Sequence, residues 1–520
     1  MAAKNSNHSV MTLKQLLSDL VVSEYLPEIE VEGLTLDSQQ VEPGYVFVAL
    51  EGQLDHGLAY AEAAISRGAV AVLCDAKFDQ YCQQILSRLL SRAICVPVRD
   101  LALRLGEIAN KFYAQPSERM SICGITGTDG KTSVSHFIAQ SMNMAMNTET
   151  DKPINSLQGM AAVIGTLGNG PIDSLEEATH TTPDVISLHR MLAEFSQQNI
   201  TSVAMEVSSH GLDQKRSAGV EFDVAVLTNL SRDHLDYHGD MESYKRAKKK
   251  LFTESESKSL VLNIDDEFGT ELFDELNGSK KIWLYGLSKD KTMQSENYAY
   301  ATNIKNQLNG IHFMLHSSQG VAQVALKVIG EFNVYNVLAC FCVLLQREIN
   351  FNHAIKYIQN LNTVPGRMEL LVCKNKPAVV IDFAHTPEAL TQALLNVRKH
   401  TPGKIICVFG CGGDRDTGKR ALMAQAAEKL SDLVIITNDN PRNESPENII
   451  DDIKQGIKNE LQLIVEMDRQ KAIEQAIEIA TEKDLILIAG KGHEQFQILG
   501  DKKVAFSDKS VALSVLGANQ

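Results

Sequence analysis

The chain has 520 residues, which is too long for one hydrophobic core and predicts about three domains. Hydrophobic residues make up 44% and charged residues 22%, the balance of a globular protein rather than of a disordered one. With 65 acidic and 50 basic residues, the formal net charge is -15. This charge excludes a general nucleic-acid binder, although a few local arginines could still hold a small anionic substrate.

The sequence shows no sign of membrane insertion or secretion. No apolar run approaches the ~20 residues of a membrane helix, and the first residues carry no cleavage pattern of a signal peptide. The nine cysteines are scattered, and the spacing of Cys340 and Cys342 fits neither a zinc knuckle nor a redox pair. We therefore expect a cytoplasmic protein whose cysteines are reduced and buried.

Residues 1–115 are predicted to form a small α/β domain. Short strands are expected at 45–50 and 69–74, and helices at 59–67 and 79–92. Residues 116–363 are predicted to form a central domain. From Met120 the pattern changes, and short apolar runs recur, each followed by a polar or glycine-rich signature. Such runs are typical of buried parallel strands, whose carboxyl ends carry the ligands. The runs of this central domain lie at 121–125, 202–205, 224–227 and 260–262.

Residues 364–520 are predicted to form a Rossmann-like domain. After Pro365-Gly366-Arg367, apolar runs alternate with helical patterns, which indicates a parallel sheet. The predicted strands lie at 378–381, 405–409, 433–436 and 485–489, and the helices at 387–398, 419–430 and 469–481.

A glycine-rich loop between a predicted strand and a predicted helix indicates a phosphate site. Its glycines let backbone N–H groups face an anion, Lys131 can reach the terminal phosphates, and Thr132 can bind magnesium. The strict Walker pattern would have glycine where Ile125 stands, so the loop is a variant. A glycine turn with a chance lysine is the less favoured alternative. The loop residues are Gly127, Thr128, Asp129, Gly130, Lys131, Thr132 and Ser133.

The segment Gly-Ile-Thr-Gly-Thr-Asp-Gly-Lys-Thr resembles the loop of the Mur ligases, the ATP-dependent peptide ligases of bacterial wall synthesis. Most members carry Asn where Asp129 stands. Motifs in the family's order extend from Leu36 to Asp508. The resemblance implies ATP and Mg²⁺ as cofactors, Asn333, Asn336 and Asp382 as further nucleotide contacts, and Arg367 as a cation that reaches the transferred phosphate.

The resemblance also implies a magnesium site built from Glu206, His234 and Lys248, with Lys248 carbamylated by CO2. A carbamate would turn a cation into a carboxylate-like metal ligand. The residues alone do not require this, since histidine is an unusual magnesium ligand and the basic run 245–250 is typical of a solvated helix face. We expect His210 and His238 to be ordinary capping or hydrogen-bonding histidines.

Leu36-Asp37-Ser38 resembles the first-domain motif of the member that adds the third residue of the peptide stem. The resemblance implies that this domain holds the uridine of a UDP-N-acetylmuramoyl dipeptide. The family commonly reads Asp-Gly-His where this chain has Asp55-His56-Gly57, and His180 stands where some members have Asn. The implied substrate contacts are Leu36, Ser38, Gln53, Leu54, Asp55, His180, Thr181, Thr182, Ser208, Gln214 and Arg216.

The segment Asp439-Asn440-Pro441-Arg442 resembles the signature of members that use meso-diaminopimelate. Diaminopimelate is lysine with an extra carboxylate, and the planar fork of arginine binds a carboxylate at two points. Arg415 offers a second fork, and Glu494, with the carbonyl of Gly490, could take the distal ammonium. A simple turn with a solvent-facing arginine is the alternative.

The implied enzyme is an acid–amino-acid ligase, which we expect to act as a monomer. ATP would phosphorylate the D-glutamyl carboxylate, and the amine of meso-diaminopimelate would attack the acyl phosphate, with Lys131, Arg367 and magnesium stabilising the charge. A ligase that adds lysine, or a folylpolyglutamate synthase, would lack Arg442 or the Asp37-Ser38 motif. A P-loop ATPase that only switches a partner would have no use for the signatures at 439–442 and 490–494.

Overall fold

The computed structural model describes residues 11–22, 26–52, 55–76, 80–89, 93–146, 160–255 and 257–517. Spatial contacts divide the chain into two compact units. The first consists of Met1–Lys131, Met146–Leu260 and Asp274–Lys281, and the second of Thr132–Ala145, Val261–Phe273 and Ile282–Gln520. Within the described ranges, no helix is both long enough and apolar enough to span a membrane.

The N-terminal region is a small α/β layer in the first unit. Its parallel sheet has the strand order β3-β4-β5-β6, and alternate side chains of β4 are buried on its two faces. Val46 and Val48 pack with one apolar cluster, and Phe47 and Ala49 with another. The elements are β1 (Met11–Thr12), α1 (Leu13–Leu16), β2 (Glu30–Val31), β3 (Gly33–Thr35), β4 (Tyr45–Ala49), α2 (Ala61–Ser66), β5 (Ala71–Asp75), α3 (Gln80–Leu89), β6 (Ile94–Val98) and α4 (Leu101–Phe112).

The central region begins with the strand that precedes the glycine-rich loop. In the first unit, β10 pairs in parallel with both β7 and β8, β11 pairs in parallel with β7, and β9 is antiparallel to β8. The elements up to this point are β7 (Ser121–Thr126), α5 (Lys131–Met146), β8 (Met160–Gly165), β9 (Gly168–Pro171), α6 (Val185–Gln197), β10 (Ile200–Glu206), α7 (Ser209–Asp213), β11 (Val224–Leu227), α8 (Leu235–His238) and α9 (Met241–Thr253).

The rest of the central region adds an antiparallel meander that the apolar runs did not predict. In the second unit, β13 pairs in parallel with β14, and β14, β15 and β16 are antiparallel. The single tryptophan, Trp283, lies in β13 and is 2% exposed. The elements are β12 (Ser259–Asn263), α10 (Glu267–Leu276), β13 (Lys281–Gly286), α11 (Lys289–Thr292), β14 (Asn297–Gln307), β15 (Gly310–Ser317), β16 (Gly320–Leu326), α12 (Phe332–Gln346) and α13 (Phe351–Gln359).

The C-terminal region is the predicted Rossmann-like layer, within the second unit. Its sheet has the order β17-β18-β22-β19-β20-β21, in which only β17 is antiparallel to its neighbour. Apolar clusters cover both faces of this sheet. The elements are β17 (Glu369–Leu371), β18 (Ala378–Asp382), α14 (Pro387–Arg398), β19 (Ile405–Phe409), α15 (Gly418–Leu430), β20 (Leu433–Ile436), α16 (Pro446–Lys454), β21 (Leu463–Val465), α17 (Arg469–Ile479), β22 (Leu485–Ala489), β23 (Phe496–Leu499), β24 (Lys502–Ala505) and α18 (Asp508–Leu516).

Candidate functional site

The glycine-rich loop follows β7 directly, and its backbone requires glycine. Gly127 has φ +150° and Gly130 has φ +82°, and a Cβ atom on Gly127 would collide with the hydroxyl of Thr228. That hydroxyl donates to the carbonyl of Asp129 at 2.6 Å. The side chain of Asp129 is exposed, while its backbone N–H donates to Asn229 Oδ1 at 3.0 Å. The loop is therefore fixed through its backbone, and the unusual Asp129 carboxylate faces outward.

Two lysines converge on one carbonyl of this loop. Lys131 Nζ donates to the carbonyls of Gly127 and Thr128, at 2.9 and 2.8 Å. Lys248 Nζ donates to the same Gly127 carbonyl at 2.6 Å. Burial, with a smaller effect of the nearby Lys131 charge, holds the pKa of Lys248 well below the usual lysine value. Lys248 lies on α9 and is 1% exposed, so the predicted solvated face of the basic run does not include it.

Glu206 ends β10 and is buried beside three hydroxyl side chains. The backbone N–H and the hydroxyl of Thr166 donate to its two carboxylate oxygens, at 2.9 and 3.1 Å. Thr182 Oγ1 donates to the Glu206 carbonyl at 3.0 Å and accepts from Ser208 N–H at 3.0 Å. Thr182 and Ser208 were predicted as substrate contacts, and the structure joins them around the Glu206 backbone.

His234 lies in a cluster of aromatic rings that extends to Lys248. Its backbone is left-handed, with φ +53°, and its side chain is 44% exposed. The ring centroids of His234 and His210 are 4.9 Å apart, and those of His234 and Tyr244 are 6.0 Å apart. Lys248 Nζ lies 4.6 Å from the centre of the Tyr244 ring. His238 bonds Ser209 Oγ through Nε2 at 3.0 Å, as expected of a hydrogen-bonding histidine.

Across the described part of the chain, no group of three or more His, Cys, Asp or Glu side chains is arranged to hold a metal ion. Glu206 is a carboxylate with hydroxyl neighbours, and an added carboxylate on Lys248 would supply further oxygen atoms of the kind that Mg²⁺ prefers. The donor atoms of Glu206 and of a carbamylated Lys248 are therefore of the chemical type that suits magnesium. Thr132 and Ser133, at the start of α5, are also largely buried.

A cavity of about 1650 Å³ opens between the carboxyl ends of the N-terminal strands and α6, within the first unit. Arg216 lines it and donates to Gln214 Oε1 at 2.7 and 2.9 Å and to the Thr182 carbonyl at 2.9 Å. Four predicted substrate contacts in the described part of the chain, Ser38, Thr181, Thr182 and Ser208, do not line the cavity. Gln53 and Leu54 lie outside the described residues. The predicted substrate contacts in its wall are Leu36, Asp55, His180, Gln214 and Arg216.

In the C-terminal region, Glu494 is held by a buried lysine. Lys491 is fully buried, and its Nζ donates to Glu494 Oε2 at 2.6 Å and to Asn440 Oδ1 at 3.1 Å. Asn440 Nδ2 also donates to Glu494 Oε2, at 2.9 Å. Burial alone would raise the pKa of Glu494, but these hydrogen bonds hold it below the usual value. Glu494 is therefore a fixed anion.

Asp439 lies beside Gly490 at the carboxyl ends of β20 and β22. A Cβ atom on Gly490, whose φ is +114°, would lie 2.7 Å from Asp439 Oδ2. Asp439 is buried, and burial raises its pKa. The structure thus brings together four of the predicted diaminopimelate contacts, Asp439, Asn440, Gly490 and Glu494.

Arg415 and Arg442 flank Gly412. A Cβ atom on Gly412 would lie 2.9 Å from Arg442 Nη1 and 3.8 Å from Arg415 Cγ. Arg442 Nη1 donates to the Gly413 carbonyl at 2.7 Å, and its backbone is left-handed, with φ +53°. Arg415 is exposed, and Pro441 is buried. Both arginines that were predicted to bind a carboxylate therefore lie close to Gly412.

Arg367 and Asp382 also lie close together in the second unit. Arg367 Cζ lies 5.5 Å from the centre of the Phe383 ring, and its Nε is buried without a hydrogen-bond partner among the described residues. The Asp382 carboxylate accepts from Met368 N–H at 2.8 Å and from Ala384 N–H at 2.9 Å. Burial raises the pKa of Asp382.

Asn333 and Asn336 are buried on α12, in the same unit. Asn336 Nδ2 donates to Asn333 Oδ1 at 2.9 Å. Asn333 Nδ2 in turn donates to the carbonyl of Ile329 at 2.7 Å. The two predicted nucleotide contacts therefore form one hydrogen-bonded pair.

Three family models match successive parts of the chain. The Mur ligase family catalytic domain matches residues 30–113, the Mur ligase middle domain 125–344, and the Mur ligase glutamate ligase domain 366–492. The chain belongs to the Mur ligase family. The predicted family, the three-domain α/β fold class and the ligase class are thereby confirmed, while the boundaries at residues 115 and 363 stay a prediction.

Several relatives that match this Mur ligase over nearly its whole length carry the same name. A UDP-N-acetylmuramoyl-L-alanyl-D-glutamate--2,6-diaminopimelate ligase from Alkalilimnicola ehrlichii is 42% identical over 98% of this chain and 99% of its own. The protein of that name from Coxiella burnetii is 41% identical over 97% and 99%. A solved structure of a ligase with this name covers 98% of this chain and 99% of its own, at 34% identity and a TM-score of 0.73.

Several residues of this Mur ligase that build the site were not singled out in the sequence. Lys491 was quoted within its motif but given no role, and the motif itself was the available signal. Tyr244 and Phe383 also lie in motifs that resemble those of the family but were given no role, whereas Thr166 carries no local pattern that marks it. Arg190 and Lys215 add positive charge to the wall of the cavity, and no motif indicated them either.

Proposed function

We propose that this Mur ligase joins meso-2,6-diaminopimelate to the D-glutamyl carboxylate of UDP-N-acetylmuramoyl-L-alanyl-D-glutamate, at the cost of one ATP. The observation that carries the proposal is that relatives named for this substrate pair match the chain from end to end. The paired arginines at Gly412 support the choice of amine, because the extra carboxylate of diaminopimelate needs a cation that lysine does not.

The reaction has two steps. An oxygen of the glutamyl carboxylate attacks the γ-phosphorus of ATP, which gives an acyl phosphate and ADP. The neutral amine of diaminopimelate then attacks the acyl carbon, inorganic phosphate leaves, and the amine loses a proton. Lys131 and Arg367 stabilise negative charge on the transferred phosphoryl group, since fixed cations in a poorly hydrated site lower this barrier strongly. ATP contacts are assigned to residues 127–133, Asn333, Asn336 and Asp382.

Magnesium would be held by Thr132, Glu206, His234 and the carbamate of Lys248. When bound, the ion neutralises phosphate charge during transfer. The low pKa of Lys248 supports the carbamate, because only a neutral amine attacks CO2. In that step the lysine nitrogen bonds the carbon of CO2, one proton is released, and the product carries one negative charge.

The N-terminal domain would bind the uridine-linked dipeptide, and the C-terminal domain would bind diaminopimelate. The size of the cavity, about 1650 Å³, supports binding of the uridine-linked dipeptide by the N-terminal domain. Although carboxylates outnumber cations in its wall, Arg190, Lys215 and Arg216 are the cations available there for the anionic groups. The diaminopimelate carboxylate would contact Arg415 and Arg442, and its distal ammonium would contact Glu494 and the Gly490 carbonyl, next to Asp439, Asn440 and Pro441. We further propose that the enzyme is a cytoplasmic monomer with domains at 1–115, 116–363 and 364–520.

The proposal is tested by phosphate release from ATP in the presence of the uridine-linked dipeptide and Mg²⁺. Release should require an amine, and diaminopimelate should be strongly preferred to lysine. Phosphate release that is independent of any amine would contradict the ligase reaction. Equal rates with lysine would leave a ligase but remove the role given to Arg442.

A further inference from the structure

One peptide group in the second unit is fixed at both of its polar ends. The N–H of Gly330 donates to His400 Nε2 at 3.1 Å. The carbonyl of the same peptide group, which belongs to Ile329, accepts the side-chain amide of Asn333 at 2.7 Å. Gly330 has φ +89°, and a Cβ atom there would collide with the Phe332 ring. The orientation of this peptide plane therefore decides where the amide of Asn333 points.

His400 follows α14 in the C-terminal region and is 3% exposed. Its Nδ1 lies 2.8 Å from the carbonyl of Gln307, at the end of β14. A carbonyl can only accept, so Nδ1 carries the proton, and Nε2 is then the acceptor for Gly330 N–H. Burial lowers the pKa of His400, assisted by Lys399, although the carbonyls of Gln307 and Gly310 oppose the shift. The ring therefore acts as a neutral bridge.

Packing ties the same segment to the C-terminal sheet. Ile329 is fully buried in one apolar cluster with Val380 of β18 and Leu390 of α14. Lys399, next to His400, lies 3.6 Å from the carboxylate of Glu331. The turn that begins α12 is therefore packed into the core of the C-terminal region. The same turn immediately precedes the predicted nucleotide contacts Asn333 and Asn336 in the sequence.

We infer that His400 is a positioning residue for nucleotide binding. It fixes the Ile329–Gly330 peptide group, which orients Asn333, and Asn333 Oδ1 in turn accepts from Asn336. This inference rests on the proposed function, in which Asn333 and Asn336 contact ATP. His400 lies in the C-terminal region, remote in sequence from the loop at 127–133. It nevertheless sets the geometry of the nucleotide contacts Asn333 and Asn336.

Replacing His400 by asparagine or glutamine tests its two hydrogen bonds separately. In His400→Asn, the side-chain amide can still donate to Gln307 from the place of Nδ1, but nothing accepts from Gly330. In His400→Gln, the longer side chain can present an oxygen at the place of Nε2. We expect His400→Asn to raise the KM for ATP about tenfold, the effect of leaving one buried donor without its acceptor. His400→Gln should raise it much less.

The experiment compares the KM values of the three substrates. A general loss of structure would affect all three, whereas the proposed role of His400 affects ATP alone. The KM values for diaminopimelate and for the uridine-linked dipeptide should stay within about twofold of wild type in both variants, a change worth little in free energy. The dissociation constant of ADP, measured by calorimetry, should follow the KM for ATP. His353→Asn is the matched control, since His353 lies on α13 and bonds the side chain of Asn350. It should change none of these constants.

A measurement on the wild-type protein keeps the inference testable even if His400→Asn does not fold. ADP should slow amide hydrogen exchange at 330–336 and also at 399–403, which has no proposed nucleotide contact. Exchange at 353–359 should be unaffected. An unchanged KM for ATP in a folded His400→Asn variant, equal effects of Asn and Gln, or unchanged exchange at 399–403 would each overturn the inference. A wild-type protein without ligase activity would instead contradict the proposed function.

Discussion

Two buried lysines, in different regions of the molecule, have opposite surroundings. Lys491 in the C-terminal region bonds a carboxylate and an amide oxygen, so its charge is matched inside the protein. Lys248 beside the phosphate loop bonds a single main-chain carbonyl and lies near a second lysine. A carboxylate therefore pairs with the buried lysine in the first case, whereas burial favours a neutral, nucleophilic amine in the second. The same side chain is a fixed support in one region and a reactive group in the other.

The strongest test of this contrast is removal of the reactive lysine. Lys248→Ala should lower the rate of phosphate release about 10³-fold, because the carbamate ligand that would hold magnesium at the transferred phosphate is lost. Added acetate or formate should restore part of the rate. Lys249→Ala is the control, since Lys249 lies on the same helix and bonds Glu275. A wild-type rate in Lys248→Ala would remove the carbamate from the mechanism.

The next effect concerns the choice of amine in the C-terminal region. Arg442→Lys replaces a planar fork with a point charge and should lower the preference for diaminopimelate over lysine about 100-fold. The preference is measured as the ratio of kcat/KM values for the two amines. Arg398→Lys is a control, since Arg398 bonds Asp432. A preference that is unchanged in Arg442→Lys would show that Arg442 does not read the extra carboxylate.

Removal of the supporting lysine should mainly reduce stability. Lys491→Met leaves the half-buried Glu494 without its cation, which should cost about 2 kcal/mol in the free energy of unfolding. Chemical denaturation measures this loss. Adding Glu494→Gln should recover part of the stability, because the unpaired charge is then gone, although diaminopimelate binding should stay weak. No recovery in the double variant would mean that Lys491 acts through packing rather than through charge.

The smallest effect is a pH dependence. In the folded protein the pKa of Lys248 lies below the usual 10.5, so between the two values the unfolded chain binds more protons and stability rises with pH. Lys248→Met should therefore be more stable than wild type at pH 7 in CO2-free buffer. The difference in the free energy of unfolding should shrink as the pH rises towards 10.5. A constant difference over this range would contradict the lowered pKa.

The parallel strands of the C-terminal region were well predicted from sequence. The predicted strands at 405–409, 433–436 and 485–489 agree with β19, β20 and β22 to the residue, because an uninterrupted apolar run between turns fits little else than a buried parallel strand. The meander β14–β16 was missed. Most of β15 alternates between buried and partly exposed residues, whereas much of β14 and β16 alternates between partly and fully exposed ones. The pairing of such strands depends on register rather than on composition.

The site was predicted as far as its motifs extend. Glu494, Asn440 and Arg442 lie in short signatures at strand ends, so their convergence followed from the sheet alone. The burial of Lys248 could not be derived from the basic run around it, because α9 packs one side of that run against partners far away in sequence. The role inferred for His400 was equally hidden, since it depends on contacts with residues 307 and 330.

The lone tryptophan of β13 gives the chain a built-in optical reporter. The indole of Trp283 is buried, and its N–H has no hydrogen-bond partner in the described part of the chain. Its emission should therefore be blue-shifted in the folded protein and should move to longer wavelength when water reaches the ring. Because no second tryptophan contributes, fluorescence during denaturation will follow the opening of this one strand rather than an average over the molecule.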